Sequence, residues 1–299
     1  MTRTLLLLAI VAVAAGLTYG ARTAGGLAPG GGDVRVSTST HSYLAGPDAD
    51  PVRHRLDLYR PEAGRDLPVL LFAHGGVWRL GSKDEYRNIG ETFARRGILT
   101  AVVNYRLTPA VRHPAHAQDV AAAVAWLAAH APEHGGRADR IFLSGHSAGG
   151  HLISLLLFDK RYLATVGIDA DRLAGVIPLS GIFDLTQPID DVADGGFPRY
   201  IDPPFGDRRR DLEAASPVTH LRPTPVPILV ALAGADYRAM QRQSEAFVSV
   251  LRTRSMDVVF ETVAGREHFE LVHAIGRDGD PTTELIAKFV RSRPRAGGR

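Results

Sequence analysis

Residues 140–157 read Arg140-Ile141-Phe142-Leu143-Ser144-Gly145-His146-Ser147-Ala148-Gly149-Gly150-His151-Leu152-Ile153-Ser154-Leu155-Leu156-Leu157. A short apolar run ends at Ser144, and a second begins after Gly149. The first has the length of a buried strand and the second fits a helix. A strand that turns abruptly into a helix at Gly-x-Ser-x-Gly forms a nucleophile elbow, with Ser147 strained and its hydroxyl exposed above the sheet edge. The glycines have a steric reason to be there, because the tight turn crowds Gly145 and Gly149 and a Cβ on either would clash. The competing reading is a helix start at which Ser147 only caps. A serine hydroxyl is a poor nucleophile near neutral pH, so the elbow reading demands a base, an acid and oxyanion donors elsewhere in the chain.

Apolar runs at 68–73, 98–103, 140–144, 175–179, 227–233 and 258–263 read as buried strands. Helical patterns lie between them. Val120, Val124 and Leu127 mark one buried stripe, and residues 246–251 carry another. This alternation predicts a mostly parallel, doubly wound α/β sheet. Residues 34–36 and 54–59 are also strand-like, and Gly46-Pro47-Asp48 between them predicts an antiparallel hairpin at the N-terminal edge. Residues 181–225 break the rhythm with proline, aspartate, arginine and isolated aromatics. They are expected to form a cap insertion over the C-terminal strand ends, where open α/β sheets bind ligands; an idle surface insertion is the other reading.

In an elbow protein of this kind the triad members follow the order Ser, acid, His. His268 follows the last expected strand and fits the base, with His273 second. Asp236 follows the penultimate strand and fits the acid, where it would fix the histidine tautomer and stabilise the imidazolium. Its rivals are Asp184 and Glu267, and its own alternative is capping the next helix. The remaining histidines are expected mostly at the surface. His74-Gly75-Gly76-Val77-Trp78 directly follows the strand at 68–73. Backbone N–H groups of Gly75, Gly76 and Ala148 are candidate oxyanion donors, and His74 is expected to order the loop.

These motifs, with Asn104-Tyr105-Arg106-Leu107 and His268-Phe269, resemble the α/β-hydrolase fold esterases related to kynurenine formamidase, prenylcysteine methylesterases and feruloyl-esterase-like enzymes. The resemblance runs from about Leu56 to about Val290. It implies Ser147, Asp236 and His268 as the triad, Gly75, Gly76 and Ala148 as the oxyanion hole, and Trp78 and Phe269 as lining of the substrate pocket. The insertion at 181–225 matches no family pattern. The expected activity is that of a carboxylesterase on a small ester, with an arylformamidase or other amidase as the alternative on the same triad. No cofactor or metal is needed. A non-catalytic binding protein on the same scaffold would lack a triad member, and none is missing.

The 299 residues suffice for one large domain, placed at 34–293. With 45% hydrophobic and 22% charged residues, most of the chain is expected to fold. The net charge of +3 is scattered, and nothing resembles a nucleic-acid module. The absence of cysteine excludes disulfides, a thiolate nucleophile and thiolate zinc sites. Residues 1–17 pair Arg3 with an apolar run and are expected to be a secretory signal peptide, or else a membrane anchor through residues 4–17. Residues 18–33 read as a flexible linker and 294–299 as a basic tail. The expected location is therefore outside the cell or in its envelope, and any membrane association would run through the N-terminal segment.

Overall fold

The computed structural model describes residues 34–187 and 203–293. The N-terminal segment and linker, residues 188–202 of the expected cap, and the basic tail lie outside the described residues. Eight strands are present among them: β1 (Val36–Ser42), β2 (Arg55–Pro61), β3 (Leu67–Ala73), β4 (Leu99–Val103), β5 (Gly136–His146), β6 (Gly175–Leu179), β7 (Ile228–Ala233) and β8 (Val258–Val263). They form one sheet in the order β1-β2-β4-β3-β5-β6-β7-β8. β2 pairs antiparallel with both β1 and β4, and every other pairing is parallel. The expected edge hairpin is β1–β2, registered from Val36 opposite Pro61 to Ser42 opposite Arg55. β1 extends well past residue 36, over Ser/Thr-rich residues that are mostly exposed. As an edge strand with little burial, it has no apolar alternation to announce it.

The central strands are continuous apolar runs because both faces of the sheet are covered. In β3, Val69, Leu71 and Ala73 enter one core while Leu70 and Phe72 enter the other. β7 divides the same way, Ile228, Val230 and Leu232 against Leu229, Ala231 and Ala233. Each such fully buried aliphatic side chain contributes roughly 1.5–3 kcal/mol. Helices α1 (Arg87–Arg95), α2 (Ala115–His130), α3 (Ala148–Phe158), α4 (Arg209–Ala215), α5 (Arg238–Thr253) and α6 (Pro281–Ser292) pack around the sheet. The stripes of α2, α3 and α5 join the first core; Ile89 and Phe93 of α1 and Ile286 and Phe289 of α6 join the second. α6 starts cleanly because Pro281 opens it and the Asp280 side chain accepts the Thr283 N–H at 2.8 Å. No helix among the described residues is long and apolar enough to cross a membrane.

The described parts of the insertion leave from the C-terminal end of β6 and return before β7, carrying α4. Gln243 of α5 clamps its start. The Gln243 Oε1 accepts the N–H groups of Phe183 and Asp184 at 2.8 and 2.9 Å, and its Nε2 donates to the Asp184 carbonyl at 3.1 Å. Phe205 then packs edge-on against Trp78, with ring centroids 4.7 Å apart.

Candidate active site

β5 ends at His146 and α3 begins at Ala148, leaving Ser147 alone at the turn with φ 53° and ψ −116°. A non-glycine residue there is strained, and the strain is held by the packing on either side. A Cβ on Gly145 would stand 2.5 Å from the Gly149 carbonyl carbon. One on Gly149 would stand 2.1 Å from the Ala73 carbonyl oxygen, so the end of β3, rather than Gly145, crowds that position. The Ser147 N–H donates to the Leu179 carbonyl at 2.9 Å, which pins the turn to β6. The serine side chain makes no capping bond to α3, which removes the capping alternative. Ser147 is only 7% exposed, so it is recessed rather than displayed at the sheet edge.

The loops after β7 and β8 are stitched together. The Gly234 N–H donates to the Val263 carbonyl at 2.8 Å and the Ala235 N–H to the Arg266 carbonyl at 2.9 Å. That stitching brings Asp236 and His268 together: His268 Nδ1–H donates to Asp236 Oδ1 at 2.8 Å, and both side chains are buried. The same Oδ1 accepts the Tyr237 N–H at 2.8 Å. Asp184 instead turns back on Thr186, accepting both its N–H and its hydroxyl. Glu267 is exposed, and so is His273, whose ring stacks on Phe269.

The His74–Trp78 loop leaves β3 directly beside the elbow. A Cβ on Gly75 would lie 3.4 Å from Ser147 Cβ, and one on Gly76, at φ 114°, would lie 2.3 Å from the Leu80 carbonyl oxygen. Only glycine fits that second position. Val77 and Trp78 also have positive φ, 48° and 57°. The His74 Nδ1–H donates to the Gly75 carbonyl at 2.6 Å, and its ring stacks on Tyr105 at 4.3 Å. The Tyr105 hydroxyl donates to the His74 carbonyl at 2.9 Å. Burial pushes His74 down to about 4, so it is neutral and orders the loop. Ala148 opens α3, where a backbone N–H has no intrahelical acceptor and the helix dipole favours negative charge.

Trp78 has no exposed surface. Its indole N–H donates to His151 Nδ1 at 3.2 Å, and His151 Nε2–H donates in turn to the Ala215 carbonyl at 2.8 Å. Trp78 was expected to line the substrate pocket, but with no exposed surface it borders no open pocket, and it instead joins the His74–Trp78 loop through His151 of α3 to the insertion. Phe269 is half exposed, edge-on to His268 with ring centroids 5.1 Å apart. The expectation that most remaining histidines lie at the surface fails. His54, His116, His146 and His151 are buried, and His41, His113, His130, His134 and His220 are partly buried. An isolated histidine carries no periodic signal. Only the position of His146 and His151 beside the elbow marked them, and their partners His268, Trp78 and Ala215 are remote in sequence.

An eight-stranded sheet in this order, with a strained serine at the β5–α3 turn and a carboxylate-bonded histidine beyond β8, defines an α/β hydrolase. The chain belongs to the BD-FAE family, whose pattern matches residues 56–251. It is 26% identical over 265 residues to kynurenine formamidase of Danio rerio, covering 87% of this chain and 85% of that protein. It is 31% identical over 215 residues to the probable carboxylic ester hydrolase LipM of Mycobacterium tuberculosis, covering 69% of this chain and 50% of that protein. This chain therefore spans only half the length of LipM. Esterase B from Lactobacillus rhamnosis has the same fold, with a TM-score of 0.73 at 22% identity over 85% of this chain and 86% of that one.

Proposed function

We infer that the protein is a serine carboxylesterase that cleaves a small ester through an acyl-enzyme. The observation that carries the reading is the buried 2.8 Å bond from His268 Nδ1–H to Asp236 Oδ1. It leaves His268 Nε2 as the basic nitrogen, and the adjacent rings of His268 and His146 set that imidazole beside the elbow. Ser147 Oγ attacks the acyl carbon and His268 Nε2 takes its proton. The oxyanion is met by N–H groups of Gly75, Gly76 and Ala148. His268 then protonates the leaving alcohol, and water activated by the same nitrogen releases the acid. Trp78 anchors the oxyanion loop through its bond to His151, and Phe269 borders the open side of the site.

A fluorophosphonate probe is expected to label the protein and to fail on Ser147→Ala. Hydrolysis of p-nitrophenyl esters is expected to fall by about 10⁴-fold or more in Ser147→Ala and His268→Ala. Near-normal activity in either variant would reject the mechanism. The near full-length similarity to a kynurenine formamidase favours a second reading, an arylformamidase on the same triad. Comparing N-formylkynurenine with p-nitrophenyl esters of increasing chain length decides between them. We further propose that residues 1–17 direct export, with residues 4–17 as the membrane anchor if no cleavage occurs; N-terminal sequencing of the exported protein tests this.

A further inference from the structure

His146, the residue before Ser147, is used by no step of that mechanism, yet it is fully buried against the base. Its Nε2 lies 2.9 Å from the main-chain carbonyl oxygen of His268. A carbonyl oxygen only accepts, so Nε2 carries the proton and donates. Nδ1 is then a bare lone pair, buried without a partner among the described residues, 2.9 Å from where a Cβ on Gly75 would stand. The imidazoles of His146 and His268 sit with centroids 4.5 Å apart. Burial first, and the neighbouring His268 second, hold His146 well below the ordinary histidine value. It therefore stays neutral, and no second positive charge opposes the imidazolium that forms on His268.

We propose that His146 is a positioning residue for the general base: its Nε2–H fixes the His268 main chain to the strand that carries the nucleophile. Asp236 fixes how the His268 ring is turned, but it belongs to the β7 loop and has no bond to Ser147 or β5. His146 is the last residue of β5, adjacent to Ser147 in the chain, so its bond makes base and nucleophile move together. The other bonds of the segment that carries His268 run to the β7 loop and to the start of α6, Ala235 N–H to the Arg266 carbonyl and Arg266 to Asp280, so the His146 bond is the one that ties it to the strand of the nucleophile. A displacement of about 1 Å between reacting groups can cost about 10²-fold in rate.

The proposal rests on Ser147 and His268 being nucleophile and base, and its test separates the two. Gln places an amide Nε2–H at the reach of the imidazole Nε2, whereas Met fills a similar volume with no donor. His146→Gln is expected to keep kcat on p-nitrophenyl acetate within about threefold. His146→Met is expected to lose about ten- to a hundredfold in kcat with KM within about twofold. A purely space-filling role moves both variants alike, so equal activity of Gln and Met, or an equal loss, overturns the proposal. If His146→Met does not fold, His146→Gln decides: retained kcat supports the hydrogen bond, and a loss of tenfold or more overturns it. Ser147→Ala and His268→Ala are run in parallel. Activity in either rejects the esterase reading itself, whereas inactivity in both beside a fully active His146→Met rejects only the role of His146.

Discussion

The carboxylate of Asp236 holds one oxygen against two donors, the imidazole Nδ1–H of His268 and the N–H of Tyr237, each at 2.8 Å. Its side chain has no exposed surface, so the charge–dipole contacts act in a medium that screens them little. Asp236→Asn keeps the shape but offers an amide that can present its NH₂ to His268, which favours the wrong tautomer. It is expected to lower kcat by about 10⁴-fold, as loss of a triad carboxylate does elsewhere. Asp184→Asn should leave kcat within about twofold, because Asp184 closes a local turn on Thr186 and touches neither reacting group. Measured kcat values for the two variants check the assignment, and a larger loss in Asp184→Asn would reverse it. Chain order alone had left Asp184 as a rival; the loop stitching that chooses Asp236 is made of backbone bonds, Ala235 to Arg266 and Gly234 to Val263, which leave no mark on residue type.

Strands covered on both faces were legible because their burial is written as unbroken apolar runs; β6 and β8 begin and end at the expected residues. The polar first half of β5, from Gly136 to Asp139, was not legible, since it continues the strand through pairing with β3 rather than through burial. Helix α1 carries a subtler message in Gly90. In a helix interior, Gly→Ala ordinarily stabilises by about 1 kcal/mol. Here the helix lies directly on β2, and a Cβ on Gly90 would stand 2.2 Å from the ring of Tyr59, which is itself 1% exposed. Overpacking of that kind costs about 1–3 kcal/mol. Gly90→Ala is therefore expected to lower the urea midpoint despite its better propensity, and Gly90→Ala with Tyr59→Leu should recover part of the loss. A midpoint above that of the parent protein in the single variant would show that the helix can ride outward without penalty.

Histidines join the parts of this fold that apolar side chains cannot join. His74 orders the His74–Trp78 loop, His116 bonds Thr108, and His151 connects that loop to the insertion. All three are buried, and burial lowers His74 and His116 to about 4 and His151 to about 3. The consequence for stability has a definite sign. In the unfolded chain these imidazoles bind protons below about pH 6.5, whereas in the folded protein they stay neutral down to about 4. Stability contributed by the neutral forms is thus fully present above about pH 6.5 and is lost as pH falls toward 4. Each group adds a slope of up to about 1.4 kcal/mol per pH unit within that window. Asp50, Asp159 and Asp171 are held below the usual carboxylate value by their hydrogen bonds, so they lose their contribution only at lower pH. Urea midpoints are therefore expected to be flat between about pH 8 and 7 and to fall steeply between about 6 and 5. His113 and His146 are lowered in the same way, so His116→Gln should reduce that slope by roughly a fifth, one of five such imidazoles being removed. A midpoint unchanged from about pH 7 to 5 would mean that these imidazoles are protonated in the folded protein, and that its neutral histidine joints are not what hold the insertion and the His74–Trp78 loop to α3.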